Sequence, residues 1–182
     1  MSRTDARIRY TQGVLKQALL SFLQEKPINK ITVKEVCERA ELNRATFYAH
    51  YSDCFALLES IEEDLLEAFQ QSLKLVASFD VTALIEAIYT MIEQQQEACR
   101  VLIFQNVCPN VLRRMIILAR GKSIAYWKQH LHRVTEAELE MLYTHLSNGL
   151  MHVVVEGYEK YSREEVVRFV NRIVQCSLSQ FQ

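Results

Sequence analysis

Apolar residues recur at helical spacing along most of the chain, and this pattern predicts helices separated by short breaks. The first predicted helix runs from about Thr4 to Glu25. It ends before Pro27, because proline disfavours a helical conformation in the residue that precedes it. The predicted apolar face of this helix consists of Ile8, Leu15, Ala18, Leu19, Phe22 and Leu23.

Two short helices follow, and each begins at a residue that caps helices well. Thr32 and Glu35 have the spacing of a capping box, in which the hydroxyl accepts one free N–H and the carboxylate accepts another. After a short break, Asn43 is a good N-cap for a third helix that runs from Arg44 to about Tyr51. Short helices with caps of this kind are typical of compact helical domains.

Longer helices occupy the rest of the chain. The fourth is capped by Ser52 or Asp53, and the segment through Phe104 and Pro109 is less regular. The other helices are predicted at about Asp80 to Gln96, Asn110 to His130, Thr135 to Glu156 and Ser162 to Ser179, the last two opened by capping boxes with Glu138 and Glu165. We therefore predict an all-α fold, with an N-terminal three-helix head (residues 1–51) fused to a C-terminal helical bundle (residues 52–182).

The composition agrees with a helical globular protein. Its 182 residues are 49% hydrophobic, which suffices for a core, and its 4 Gly and 2 Pro provide little material for hairpins. We see no apolar run long enough to span a membrane, and the N-terminus lacks the apolar core of a signal peptide. The 5 Cys are an odd number without framework spacing. We therefore expect a cytoplasmic protein with reduced thiols and no membrane partner.

Charge is distributed unevenly along the sequence. Residues 1–51 contain nine Lys or Arg and five Asp or Glu, whereas the remainder contains twelve and seventeen, so the head is basic and the body is acidic. A basic module on an acidic remainder indicates a polyanionic partner for the first part of the chain.

The two short helices have the geometry of a helix-turn-helix, in which the second helix enters the major groove of DNA. Leu42 and Phe47 can face inward. The residues left for the outside, and so the candidates for DNA contact, are Arg44, Ala45, Thr46, Tyr48 and His50. The same arrangement is compatible with an ordinary bundle that has a polar outer face.

Each candidate carries a chemistry suited to DNA. Arg44 can pair with a guanine edge, and Thr46 can offer a hydroxyl or a methyl group to a base. Tyr48 and His50 have polar tips suited to phosphate oxygens. The start of the second helix at Thr32 and the nearby Lys34 add further phosphate contacts.

The segment from Ile31 to Tyr51 resembles the DNA-binding head of the TetR/AcrR family of bacterial transcription regulators. The shared features are the capping Thr32, the turn after Ala40, and the run Phe47-Tyr48-Ala49-His50-Tyr51. The likeness covers about the first 60 residues. It implies an all-helical homodimer that reads bases through Arg44, Ala45 and Thr46, holds phosphates at Thr32, Tyr48 and His50, and carries an inducer pocket in its body.

Two positions depart from the pattern of that family. The turn often carries glycine where Glu41 stands, so a residue with a side chain must adopt the turn conformation here. The fourth helix often begins with a lysine that grips a phosphate, where this chain has Cys54. We expect that phosphate contact to be absent.

The body is expected to provide a dimer surface, as the resemblance implies. The apolar stripes of its last two helices predict an interface formed by Leu142, Leu146, Gly149, Leu150, Val153, Val166, Val170, Ile173 and Ser177. The alternative is that these residues simply cover the core of the body.

An inducer pocket is predicted between the helices of the body. The candidate lining consists of Tyr89, Met91, Phe104, Met115, Tyr126 and Trp127. The alternative for each of these residues is an ordinary place in the core.

Nothing in the sequence indicates an enzyme, a metal site or a cofactor, because no catalytic cluster or glycine-rich phosphate loop occurs. We therefore expect a homodimeric regulator that binds double-stranded DNA, and specifically a repressor released by a small molecule. The alternative is a helical co-regulator that acts through a protein partner instead of recognising an operator directly.

Overall fold

The computed structural model of the chain describes residues 3–74 and 81–181. These residues form helices and connecting turns, with no strand in the described ranges, and the predicted all-α fold is confirmed. The α-helices are α1 (Arg3–Leu23), α2 (Val33–Arg39), α3 (Arg44–Tyr48), α4 (Cys54–Lys74), α5 (Val81–Gln94), α6 (Gln96–Cys99), α7 (Asn110–His130), α8 (Glu136–Gly157) and α9 (Arg163–Leu178). None of the described helices combines the length and the apolar content that a membrane span requires.

The chain divides into two compact units. The first comprises the chain up to Leu65 together with Glu97–Cys108, and the second comprises Leu66–Gln96 and the chain from Pro109 onward. These are units of packing. The predicted domains, residues 1–51 and 52–182, stay a prediction.

The core of the first unit is built by α1, α2, α3 and the first part of α4. Helix α1 packs on α2, and α2 packs on α3. Leu15, Leu19, Val36, Phe47 and Leu57 are completely buried here. Burying each side chain of this size contributes about 1.5–3 kcal/mol relative to leaving it exposed, so these five residues hold the short helices α2 and α3 against α1 and α4.

Ile8 does not belong to this core, and its predicted place on the apolar face of α1 is wrong. The side chain of Ile8 is 39% exposed, and every described side chain from Asp5 to Tyr10 is exposed as well. The buried face of α1 begins one turn later, at Thr11. Ile8 keeps the helical spacing of the buried residues, but the first two turns of α1 lie beyond the part of the helix whose side chains are buried in the core.

Arg39 fastens α2 to the end of α1. Its guanidinium carbon lies 3.6 Å from the centre of the Phe22 ring, a cation–π contact. The same guanidinium donates hydrogen bonds to the Ser21 hydroxyl at 2.8 Å and to the Glu25 carboxylate at 3.2 Å. These contacts set the position of α2, which in turn sets the position of the turn that follows it.

The segment that was expected to be irregular contains a short π-helix. Helix α6 leads into a π-helical turn at Arg100–Phe104, whose residues Val101, Leu102 and Ile103 are buried. Asn106 has a positive φ of 54°, and the Cys108 N–H donates to the Leu102 carbonyl at 3.1 Å. A π-turn and a left-handed residue both interrupt helical periodicity, which explains the irregular pattern in the sequence.

The second unit contains α5, α7, α8 and α9, and its two predicted capping boxes are confirmed. The Thr135 hydroxyl accepts the N–H of Glu138, and the Ser162 hydroxyl accepts that of Glu165. In return, each carboxylate accepts the backbone N–H of its cap residue. Helix α7 packs against α8, and α5 packs against α9. Arg163, at the start of α9, pairs with two carboxylates of α5 and so fixes this second contact.

Candidate nucleic-acid interface

The turn between α2 and α3 is a Schellman motif that requires a left-handed residue. The Leu42 N–H donates to the Cys37 carbonyl at 2.9 Å, and the Glu41 N–H donates to the Glu38 carbonyl at 3.3 Å. Glu41 has a φ of 54°. The expectation that a residue other than glycine adopts this conformation is therefore confirmed.

Asn43 begins α3, as predicted. Its side-chain Oδ1 accepts the Thr46 N–H at 2.8 Å and the Thr46 hydroxyl at 3.0 Å. The helix ends earlier than expected, at Tyr48, and the Tyr51 N–H donates to the Phe47 carbonyl at 2.9 Å. Helix α3 is therefore a short element held at both ends by the turns that flank it.

One buried residue sets the orientation of α3. The ring of Phe47 is completely buried, whereas Arg44 and Ala45 are exposed and Tyr48 is 58% exposed. The Tyr48 ring meets the edge of the Phe47 ring, with 5.6 Å between ring centres. The outer face of α3 thus presents a guanidinium, a methyl group and a phenol to solvent.

Thr46 and His50 are half-buried at the sides of this face. The Thr46 hydroxyl donates its hydrogen to Asn43, which leaves its lone pairs and its methyl group for any other partner. The His50 ring lies 6.2 Å from the Tyr51 ring, centre to centre. Both side chains border the exposed residues of α3, as the sequence led us to expect, and their role stays a prediction.

Thr32 and Lys34 are exposed at the start of α2. The Thr32 N–H and hydroxyl both donate to the Glu35 carboxylate, at 2.9 and 2.8 Å, so neither is free for a phosphate in this conformation. A hydrogen bond from Lys26 and those from Thr32 lower the pKa of Glu35 to about 2, so this carboxylate is ionised at neutral pH. The Lys34 ammonium lies 3.7 Å from the Glu38 carboxylate, and both side chains are exposed. Exchanging Glu38 for a phosphate as the partner of Lys34 therefore costs little free energy.

Cys54 is the first residue of α4 and lies in the core of the first unit. Its side chain is buried, and burial raises the pKa of the thiol to about 11. The helix is capped by the preceding Asp53, whose carboxylate accepts the Ala56 N–H at 2.8 Å. A neutral, buried thiol cannot replace a lysine in a phosphate contact.

A cavity of about 50 Å³ lies within the second unit, among α4, α5, α7, α8 and α9. Two of the predicted pocket residues, Met115 and Trp127, line it. Other side chains around it include Phe69, Ile88, Tyr143, Leu150 and Met151. The cavity is smaller than the roughly 300–1,000 Å³ that encloses a drug-sized ligand.

The other four predicted pocket residues do not line this cavity: Tyr89, Met91, Phe104 and Tyr126. Tyr89 is buried beside Tyr158, with 5.6 Å between ring centres, and Tyr126 stacks on His130 at 4.2 Å. Phe104 belongs to the first unit. Helical periodicity identified these aromatic residues as apolar but did not predict which of them border empty space.

Sequence reasoning missed the hydroxyl groups around this cavity. Ser123, Tyr143 and Ser147 all line it. The Tyr143 hydroxyl donates to the Ile116 carbonyl at 2.5 Å, whereas the Ser147 hydroxyl is buried without a hydrogen-bond partner. Serine within a helix carries no pattern of its own, so only its position beside a void could have singled out Ser147.

The predicted dimer surface divides into buried and exposed residues. Those buried within the chain itself are Leu146, Leu150, Val166 and Val170. Leu142, Val153 and Ser177 are half-buried, and Gly149 and Ile173 are exposed. A groove between α8 and α9 is lined in part by Gly149, Val153, Phe169 and Ile173. The buried members serve the core of the unit, and the exposed members remain candidates for contact with a second copy.

Within residues 3–74 and 81–181, no group of three or more His, Cys, Asp or Glu side chains is arranged to hold a metal ion. All five cysteines are free thiols, and only Cys176 is exposed. Burial raises the pKa of both Cys99 and Cys108 to about 12, so these thiols are protonated at neutral pH.

Comparison with known sequences identifies one similar stretch. No protein-family model matches the chain. The chain is 37% identical over 62 residues to YxbF of Bacillus subtilis (strain 168), an uncharacterised HTH-type transcriptional regulator. The match covers 34% of this chain and spans 16% of the length of that relative.

Solved structures match over nearly the whole chain. A TetR transcriptional regulator from Streptococcus agalactiae 2603V has a TM-score of 0.68 at 21% identity, covering 94% of this chain and 97% of its own. SmeT, solved in complex with triclosan, has a TM-score of 0.67 at 15% identity, covering 92% of this chain and 90% of its own. The dihydroxyacetone kinase operon activator DhaS has a TM-score of 0.66 at 14% identity, covering 94% and 98%. At 14–21% identity these likenesses show that the fold is shared. The names of the Streptococcus agalactiae protein and of YxbF describe transcriptional regulators, that of DhaS describes an operon activator, and none of the three describes an enzyme.

Proposed function

We propose that this chain, which has the fold of the TetR-family transcriptional regulators, is a homodimeric regulator that binds double-stranded DNA. Its recognition element is α3, with Arg44, Ala45 and Thr46 toward the bases. Tyr48 and His50 contact phosphates, together with Lys34 at the start of α2. Thr32 joins them when a phosphate replaces the Glu35 carboxylate as the acceptor of its hydrogen bonds. These two short helices brace one another as the helix-turn-helix requires.

The observation that carries this proposal is the division of α3 into a buried side and an exposed side. Phe47 is completely buried, which leaves the Arg44 guanidinium and most of the Tyr48 ring in solvent. The Arg44 guanidinium forms no ion pair within the described part of the chain. An exposed guanidinium at the start of a recognition helix can make two hydrogen bonds to the O6 and N7 edge of a guanine.

A selection experiment tests the proposal. Duplexes with a randomised core are enriched on the purified full-length protein, and the affinity for the enriched duplex is measured at several salt concentrations. The expected result is preferential binding with a steep salt dependence, because each phosphate neutralised releases counterions. No enrichment over random duplex would contradict the proposal.

A second candidate function is a co-regulator that acts through a protein partner. Two observations favour it. Glu41 adds a negative charge in the turn, and the buried Cys54 replaces a lysine that often grips phosphate in the resembled family. This candidate predicts no sequence preference among duplexes, so the same selection experiment separates the two.

The proposed homodimer forms through α8 and α9. Phe169 is 45% exposed and Ile173 is 44% exposed along one groove, and Gly149 lets a partner helix approach closely. A two-fold dimer presents two α3 helices to DNA, which requires a spacing of about 34–36 Å or a multiple of it. Leu142, Val153 and Ser177 are half-buried and complete the proposed contact surface. The other predicted interface residues lie beneath it in the core of the unit: Leu146, Leu150, Val166 and Val170.

We also propose that a small molecule in the cavity beside Met115 and Trp127 relieves operator binding, which makes the protein a repressor. The ligand must prefer the form that cannot bind DNA, and a 100-fold preference supplies about 2.7 kcal/mol for the switch. One neighbour is named as an operon activator. Reporter transcription with and without the chain therefore decides the sign of regulation.

A further inference from the structure

The cavity of the second unit has an uncharged lining. None of the described residues around it is an Asp, Glu, Lys, Arg or His, and most are aliphatic, aromatic or Met side chains. A charged ligand would lose its hydration there, which is strongly unfavourable. Arg120, whose charge acts on Tyr143 in the lining, is already paired with Glu140 and is half exposed, so it is a poor counter-ion. The walls therefore select an electrically neutral occupant.

One corner of the cavity is polar, and it is formed by Tyr143 and Ser147. These residues are one helical turn apart on α8, so they share a face. Burial raises the pKa of Tyr143 to about 12, while the charge of Arg120 and, to a smaller extent, the nearby Ser147 hydroxyl lower it. The contact between the Ser147 and Tyr143 hydroxyls falls outside hydrogen-bond geometry, so Ser147 is left without a partner. The Tyr143 hydroxyl donates to Ile116, which leaves its oxygen lone pairs as acceptors.

A buried hydroxyl without a partner is unfavourable, because it has lost its hydrogen bonds to water. A ligand that provides the missing bond removes this penalty. Ser123, which is buried on α7, adds a further hydroxyl to the lining.

We propose that this cavity binds a compact, uncharged ring molecule carrying one hydroxyl group, which hydrogen-bonds to Ser147 and Tyr143. The inference rests on the proposed function in assigning a regulatory role to the cavity. The binding itself is measured without DNA.

The size of the cavity adds a consequence for regulation. Its volume is about 50 Å³, whereas an apolar cavity that accepts benzene measures about 150 Å³. A ring molecule can therefore enter only when the walls move outward. Met115 and Met151 line the cavity, and methionine side chains repack easily. The ligand thus prefers an expanded form of the unit, and that preference is what a switch requires.

Three probes of similar size test the proposed ligand chemistry. Phenol is neutral at pH 7 and has a hydroxyl, toluene has none, and benzoate is charged. Binding is followed by calorimetry and by the fluorescence of Trp127, the single tryptophan of the chain, which lines the cavity. We expect phenol to bind about 10-fold more tightly than toluene, as one hydrogen bond would provide. Benzoate should bind at least about 100-fold more weakly than phenol, because its charge finds no partner.

Substitutions locate the hydroxyl contact. Ser147→Ala should remove most of the preference for phenol over toluene, while Ser147→Thr, which keeps a hydroxyl, should retain it. Thr144→Ala is the matched control, since it removes an exposed hydroxyl from the same helix outside this cavity. Circular dichroism of each variant verifies that the helices are intact.

The proposal is overturned if phenol fails to bind, if benzoate binds as tightly as phenol, or if Ser147→Ala leaves the preference for phenol unchanged. Duplex binding is measured on the same preparation without any probe. Loss of that activity would count against the proposed function, whereas failure of the three probes would count only against the proposed ligand class.

Discussion

Burial of Phe47 determines what the neighbouring side chains can do. Its ring fills the core beneath α3, and a five-residue helix has only one face left for solvent. Arg44, Ala45 and Tyr48 occupy that face. Replacing Phe47 would therefore destroy the orientation of the recognition helix as well as its packing, whereas replacing Arg44 removes one contact from an intact scaffold.

Glu35 makes the stability of the head depend on pH. Hydrogen bonds from Lys26 and Thr32 lower its pKa to about 2 in the folded chain, compared with about 4.3 in an unfolded one. Because the folded pKa is the lower one, the stabilisation is complete above about pH 4.3 and is lost as the pH falls toward 2. A carboxyl titration by NMR should give a midpoint near 2 for Glu35.

The variant Lys26→Met isolates the cause of this shift. It removes the largest contribution, so the midpoint for Glu35 should rise toward the ordinary value while the Thr32 bonds remain. A midpoint near 4.3 in the unaltered protein would show that the capping box is not formed in solution.

At the scale of elements, the turn between α2 and α3 stores strain at Glu41. A residue with a Cβ pays about 1–2 kcal/mol to adopt the left-handed conformation, and its φ is 54° here. Glu41→Gly should raise the free energy of unfolding by up to about 1 kcal/mol, after allowing for the greater freedom of glycine in the unfolded chain. Chemical denaturation measures the change.

Two further substitutions serve as controls for this prediction. Glu41→Val should destabilise the protein by more than about 1 kcal/mol, because β-branched residues are rare at positive φ. Glu38→Gly, within α2, should also destabilise it, by about 1 kcal/mol, since glycine is a poor helix former. Equal effects of glycine at positions 41 and 38 would contradict the account of the turn.

The helices could be predicted from sequence largely because their signals are local. The boxes at Thr135 and Ser162, and the cap at Asn43, each involve residues only three apart, so helix starts were predicted closely. Tertiary packing decided the rest. Ile8 has the correct spacing, yet its side chain is 39% exposed.

The candidate sites also show that local sequence signals do not predict tertiary packing. The exposed face of α3 could be predicted, because burying Phe47 leaves its neighbours outside. The cavity could not, since a void depends on how side chains from several helices fill a common space. Tyr89 and Tyr126 proved to pack elsewhere, and Ser147 had no signal at all.

At the scale of the whole molecule, self-association through α8 and α9 requires exposed apolar side chains on those helices. Phe169→Asp together with Ile173→Asp should shift the protein from dimer to monomer, because each substitution would bury a charge at the interface. Sedimentation equilibrium measures the change. The matched control is Ile117→Asp on α7, which replaces a residue that is 60% exposed. A dimer that survives the first pair, or dissociates equally with the control, would contradict the proposed interface.

The account as a whole depends on Arg44 reading a base from the outer face of α3. The most direct measurement is the affinity of Arg44→Ala for the selected duplex and for duplexes altered at single positions, beside the control Arg113→Ala, an exposed arginine of the second unit. We predict that Arg44→Ala loses about 1–3 kcal/mol of binding free energy and tolerates any base at one position, while Arg113→Ala retains both affinity and preference. Equal affinities for the two variants, with the base preference of Arg44→Ala unchanged, would contradict it.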